Sequence, residues 1–272
     1  MSRTLFVQQM PSTPQMLSWI ALFLMPAVSD VAIADEQSHE PNMVGAVVQY
    51  GPAYLGSDRS TPSIIPVLSL TKESLFLRTT EGMLETGISK PINDTLSYGA
   101  QLAYEDGRTQ NGFSNGLKFL SINPSMSYGA FLQYEDNIGP MPVDVIVRYR
   151  KDIDTSRGSQ IDFRIFAGIY GGEHEKLNLG IFAQRTLADQ RAMETYYGLK
   201  DRFSHRFGHV SYHPDQGVLN SEVGLWGAYM LCPKTYLVGY AEKIFLGNEA
   251  SNSPITRSSN INYISFGLAF EF

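Results

Sequence analysis

Hydrophobic and polar residues alternate one by one over most of the chain beyond Met43. The clearest case is the final stretch, Asn260 to Phe272. There Ile264, Phe266, Leu268, Phe270 and Phe272 share one parity, while Tyr263, Ser265, Gly267, Ala269 and Glu271 share the other. Side chains alternate across a strand, so this pattern predicts a strand with one continuously apolar face. The same period recurs at Met43–Gly51, Ser63–Leu70, Ser74–Thr79, Gly82–Lys90, Thr95–Glu105 and Leu120–Tyr134. It continues at Val143–Arg150, Gln160–Tyr170, Leu177–Arg185, Asn220–Leu231 and Thr235–Leu246, which makes twelve strands with the last.

The connections sort by length. Short ones fall at Thr71–Glu73, Pro91–Asp94, Glu135–Pro142, Gly171–Lys176 and Cys232–Lys234, most with the Gly, Pro, Asn or Asp that turns require. Long ones fall between them, at Pro52–Pro62, Asp106–Phe119, Lys151–Ser159, Thr186–Leu219 and Gly247–Ser259; only Thr80–Glu81 breaks the rule. An even strand number with short and long connections on opposite ends predicts an all-β, single antiparallel transmembrane barrel of about twelve strands (10–14). The reading puts the short turns and both termini in the periplasm. A soluble sandwich would also alternate, but it has no membrane to segregate its connections. The closing strand, with Phe266, Leu268, Phe270 and a terminal Phe272, resembles the assembly signal read by the barrel-assembly machinery of bacterial outer membranes.

Targeting agrees. Arg3 precedes an apolar run from Met16 to Val28, and Ala32-Ile33-Ala34 follows. This layout predicts a signal peptide over 1–34 cut after Ala34, a short periplasmic lead-in over 35–42 and a barrel over 43–272. No later run approaches the ~20 apolar residues of a spanning helix, whereas a barrel strand needs only alternate residues to meet lipid. A formal charge of −6 argues against a nucleic-acid partner. Cys232 is the single cysteine, so no internal disulfide forms, and it reads as a buried or turn thiol.

Charges inside strands are more informative. Arg148 shares a parity with Arg150, Asp162 shares one with Arg164, and Glu222 sides with Gly224, Trp226 and Ala228. A lipid-facing Arg or Lys at mid-depth costs roughly 2–4 kcal/mol, so Arg148, Asp162, Arg164 and Glu222 are expected in the lumen. There they either line a narrow water path or pair and plug it. His205, His209 and His213 are spaced by four, as for metal ligands on a helix, but Gly208, Val210 and Pro214 oppose a helix there. Ser204, Ser211, Asp201 and Asp215 stand nearby without a spacing that defines a catalytic set. No metal, cofactor or catalytic residue is assigned.

Three short motifs carry a family resemblance. Tyr50 to Asp58 contains Pro52, Tyr54, Gly56, Ser57 and Asp58 in a Pro-x-Tyr-x-Gly-Ser pattern; Gly107-Arg108 follows Tyr104; and Ser253-Pro254-Ile255 precedes the closing strand. Their order and spacing over Met43–Phe272 resemble the MltA-interacting protein (MipA/OmpV) family of outer-membrane proteins. Tyr196-Tyr197-Gly198 also fits, though the rest of Thr186–Leu219 departs from the family pattern. The resemblance implies an outer-membrane barrel without catalytic residues. It also implies a scaffold in envelope maintenance, with a murein hydrolase and a peptidoglycan synthase as partners besides membrane lipid. A narrow solute channel is the alternative, and an outer-leaflet hydrolase the third reading.

Overall fold

A computed structural model describes residues 42–80, 82–108, 121–171, 175–200 and 211–272. The strands are β1 (Met43–Pro52), β2 (Ser60–Lys72), β3 (Leu75–Thr80), β4 (Met83–Pro91), β5 (Leu96–Glu105) and β6 (Ser125–Ile138). They continue as β7 (Met141–Asp152), β8 (Ser159–Tyr170), β9 (Leu177–Ala188), β10 (Gly217–Cys232), β11 (Thr235–Leu246) and β12 (Asn260–Glu271). Each pairs antiparallel with its sequence neighbours, and β1 pairs with β12 from Met43↔Glu271 to Tyr50↔Ile264, closing the barrel. Closure removes free sheet ends, which hydrocarbon does not tolerate.

Parity places the faces. Ser265 and Ala269 are buried inside, while Ile264, Phe266 (63% exposed), Leu268, Phe270 and Phe272 project outward. Outward apolar residues recur around the wall, among them Val48, Leu102, Leu132, Val147, Ile165 and Leu225. Exposed tyrosines flank this belt. Tyr98, Tyr134, Tyr170 and Tyr229 lie toward the short-turn end, and Tyr50, Tyr128 and Tyr149 toward the long-loop end. Paired aromatic girdles around an apolar band are the surface of a membrane barrel.

The strands differ from the sequence-based bounds chiefly at β6 and β7. Glu135–Pro142, read as a turn, is mostly ladder: Glu135↔Asp144, Asp136↔Val143, Asn137↔Pro142 and Ile138↔Met141 are paired. Only Gly139 and Pro140 turn, and Gly139 takes φ +66°, where glycine alone is free of a Cβ penalty. β6 begins at Ser125, and Leu120, where the alternation predicts its start, lies outside the described residues. Among the described residues two α-helices, α1 (Gln190–Tyr197) and α2 (Asn248–Ser251), fall in connections read as loop. Cys232 is exposed at the β10–β11 turn, not buried. The expected cleavage at Ala34 and residues 35–41 of the lead-in lie outside the described residues, as do His205 and His209.

Candidate functional site

Inside the barrel, register rather than sequence proximity assembles a charged cluster. Arg148 on β7 stands opposite Asp162 on β8, and Arg150 follows on the same inner face. Asp162 Oδ2 accepts from Arg148 Nε at 2.8 Å and from Arg150 Nε at 3.0 Å, and Thr186 Oγ1 donates to its Oδ1 at 3.0 Å. Arg148 Nη1 also pairs with Glu85 of β4. Arg150 Nη1 reaches Glu105 of β5 at 2.6 Å, and Ser127 donates to the same oxygen at 2.8 Å. Arg78 of β3 closes the set 3.4 Å from Glu85, its guanidinium 4.6 Å above the Phe76 ring. Three guanidiniums (Arg78, Arg148, Arg150) thus meet three carboxylates (Glu85, Glu105, Asp162), and the cluster is formally neutral. Arginine suits this role because its planar fork serves two carboxylates at once.

The other expected lumen residues also face inward but join a different group. Glu222 accepts from Asn220 Nδ2 at 2.6 Å and from Gln184 Nε2 at 3.3 Å. Arg164 lies over the Phe182 ring at 4.9 Å, and Phe182 stacks on Tyr240 at 5.3 Å. Glu85, Glu105 and Arg78 were not singled out from sequence, although strand parity alone puts each on the inner face.

At the long-loop end the family motifs meet. The Tyr54 hydroxyl donates to the Ile255 carbonyl at 3.2 Å, and Ser253 Oγ donates to the Tyr197 carbonyl at 2.5 Å. Arg108 Nη1 donates to the Tyr196 carbonyl at 2.7 Å and its guanidinium lies 5.5 Å from the Tyr54 ring centre. The Gly56 carbonyl accepts from the Arg257 and Ser258 amides at 2.7 and 3.1 Å. Ser57 is buried and its Oγ accepts from the Arg59 amide at 3.0 Å, whereas Asp58 stays exposed and Pro52 ends β1. Gly107 takes φ +70°, and a Cβ there would strike the Ile122 carbonyl. Pro254 sits half-buried between Ser253 and Ile255.

Beneath this knot α1 packs Ala192, Met193 and Tyr197 onto Leu219, Ile244, Leu246 and Ile261, so the helix sits in the barrel mouth. Asp189 caps it, accepting from the Ala192 amide at 2.8 Å and from the Ser159 amide and hydroxyl. Burial raises the Asp189 carboxyl, but these donors outweigh it and hold the group below the usual carboxylate range. Burial pushes the Tyr196 hydroxyl up to about 12 and pulls the Arg108 guanidinium down. His213 is exposed, 3.9 Å from Glu194. Among the described residues no group of three or more His, Cys, Asp and Glu is placed to hold a metal.

At the opposite end the β6–β7 hairpin outreaches its neighbour. β5 pairs with β6 no further than Leu96↔Tyr134, with one more bond from the Glu135 amide to Thr95. Beyond it Asp136↔Val143, Asn137↔Pro142 and Ile138↔Met141 project without a flanking strand on that side, a reach of about 10 Å. The projection carries Glu135 and Asp136 at its base and Ile138, 65% exposed, at its tip.

A comparison with protein families matches residues 44–272 to the one described as MltA-interacting protein MipA. Among curated proteins none matches the sequence. Solved structures that resemble it include NanC porin, at 11% identity over 84% of this chain and 100% of that one, TM-score 0.48. LpxR from Salmonella typhimurium matches with the same figures. The COG4313 outer membrane channel from Pseudomonas putida F1 is 12% identical over 89% of this chain and 100% of that one, TM-score 0.43.

Proposed function

The chain belongs to the MltA-interacting protein MipA family and is an outer-membrane barrel; on that premise we propose that it is a non-enzymatic interaction protein of the cell envelope. Its partner, in this reading, is a murein hydrolase, the class to which the family's name points, with a peptidoglycan synthase recruited alongside. The leader is removed after Ala34, both termini face the periplasm and the long loops face outward.

One observation carries the proposal: among the described residues the β6–β7 hairpin runs on past the strand beside it, with an acidic base and an apolar tip. An exposed isoleucine framed by charge is the composition of a contact site, an apolar anchor inside a polar rim. The lumen offers less to a passing solute. Its main charges cancel in pairs, and α1 occupies the mouth. Single barrels in a planar bilayer are therefore expected to show no steady openings. Sustained ion-selective steps would favour a channel and count against the proposal.

Orientation has its own test in the exposed single thiol, Cys232, at a short turn. A maleimide carrying a long polyethylene glycol chain, too bulky to cross the outer membrane, should leave Cys232 unlabelled in intact cells. It should label the thiol once the outer membrane is permeabilised. Labelling in intact cells would invert the barrel.

A further inference from the structure

Most outward residues on the β8–β12 wall are apolar, but two near the long-loop end are basic. Arg185 on β9 and Lys243 on β11 both have outward parity and are exposed. Among the described residues neither has a carboxylate partner, although Lys243 Nζ lies 5.4 Å from the Phe245 ring centre. Outward cations are expensive at mid-depth and cheap at the interface, where lipid headgroups supply anions. Register brings the pair together. Arg185 is opposite Ser221, Ser221 is opposite Phe245, and Lys243 is two residues from Phe245. Two strand spacings separate them sideways, about 10 Å, and about 7 Å along the strand. Arginine and lysine side chains are long enough to reach one ligand across that distance.

Each cation borders a depression in the same wall. A groove of about 290 Å³ lies between Arg185, Ser221 and Phe245, with Asn248 and Glu249 of α2 at its upper side. Glu249 is the acid on that groove, and its Oε2 is engaged by the Tyr212 hydroxyl (3.1 Å) and the Asp215 amide (3.4 Å). Below it runs an apolar trough of about 820 Å³, bordered at its top by Lys243. Ala167, Ala183 and Ala241 make its outward surface shallow, and Ile165, Leu225 and Ile264 flank it. A guanidinium, an ammonium and a hydroxyl stand above a lipid-facing apolar trough. That is the layout of an amphiphile with an anionic head and hydrocarbon tails.

We propose that this wall binds a phosphorylated glycolipid of the outer leaflet, of the lipid A class. Arg185, Ser221 and Lys243 take its phosphate, and its acyl chains lie along the trough. Arginine meets phosphate with two parallel donors, which makes the site selective for the phosphorylated form. The choice of leaflet rests on the orientation proposed above, but binding measured in detergent does not. A failure of the site and a failure of the topology are therefore separable.

The test is native mass spectrometry of the full folded barrel with bisphosphorylated lipid A, with its dephosphorylated form and with inorganic phosphate as competitor. Folding of each variant is checked by its heat-dependent gel shift. The wild type should retain the phosphorylated lipid, and Arg185→Gln combined with Lys243→Gln should lower retention roughly tenfold or more, as loss of two charge-assisted contacts implies. Lys90→Gln, an outward lysine near the short-turn end, should change nothing. Dephosphorylated lipid should bind the wild type as weakly as phosphorylated lipid binds the double variant, and millimolar inorganic phosphate should not displace the lipid. Equal retention of the two lipids by the wild type overturns the proposal, and it needs no variant to fold. Equal retention by wild type and double variant, or displacement by inorganic phosphate alone, overturns it too.

Discussion

Asp162→Ala is expected to cost the folded barrel about 3–5 kcal/mol, the usual penalty for removing one partner of a buried ion pair. Asp162 is fully buried and is the carboxylate that Arg148 and Arg150 share. Without it two guanidiniums face each other with no carboxylate between them, held by Glu85 on one side and by Glu105 and the Gln160 side chain on the other. The loss should appear as a lower temperature for the gel shift from folded to unfolded mobility and as poorer refolding. Removing the charges together, with Arg148→Met and Asp162→Leu, should recover much of it, because burying a paired charge is itself costly. An unchanged shift temperature for Asp162→Ala would mean that the cluster is hydrated and adds no stability.

Leu268→Arg is the second large effect, about 2–4 kcal/mol if the position lies near mid-depth. Leu268 projects outward between Phe266 and Phe270, 41% exposed, and is paired with Ala46 of β1 and Leu237 of β11. A guanidinium there has only lipid to face. Glu271, three residues on, is half-buried on the inner side and accepts from the Tyr236 hydroxyl at 2.8 Å. Glu271→Ala therefore loses one hydrogen bond, about 1 kcal/mol. Folded yield and gel-shift temperature of the two variants should separate clearly. Equal tolerance would mean that the faces of the closing strand are exchanged.

The strands were legible because a wall with lipid on one side forces a period of two on every segment that crosses it. That constraint ends where the wall ends. Glu135, Asp136 and Asn137 read as turn by composition, yet the ladder carries on through them, since a hairpin outside the membrane needs cross-strand bonds and no alternation. The helix α1 left a faint trace, an N-cap Asp189 followed by Ala192, Met193, Tyr196 and Tyr197, on a segment too short to stand out from its loop. Parity was enough to send Arg148, Asp162, Arg164 and Glu222 inward. It did not say which acid meets which arginine, because that depends on how far each strand is staggered against the next. The convergence of the motifs was equally hidden. Tyr54 and Ile255, bonded at the rim, are 201 positions apart.

The claim that this barrel works by holding a partner at its short-turn end is tested most directly by a photo-crosslinking residue in place of Ile138, irradiated in living cells. The account predicts an adduct with a periplasmic murein hydrolase, identified by mass spectrometry. It also predicts that Glu135→Lys with Asp136→Lys removes the adduct while the amount of folded barrel is unchanged. No adduct from Ile138, alongside the same hydrolase captured from a residue in the long-loop knot such as Asp58, would contradict it.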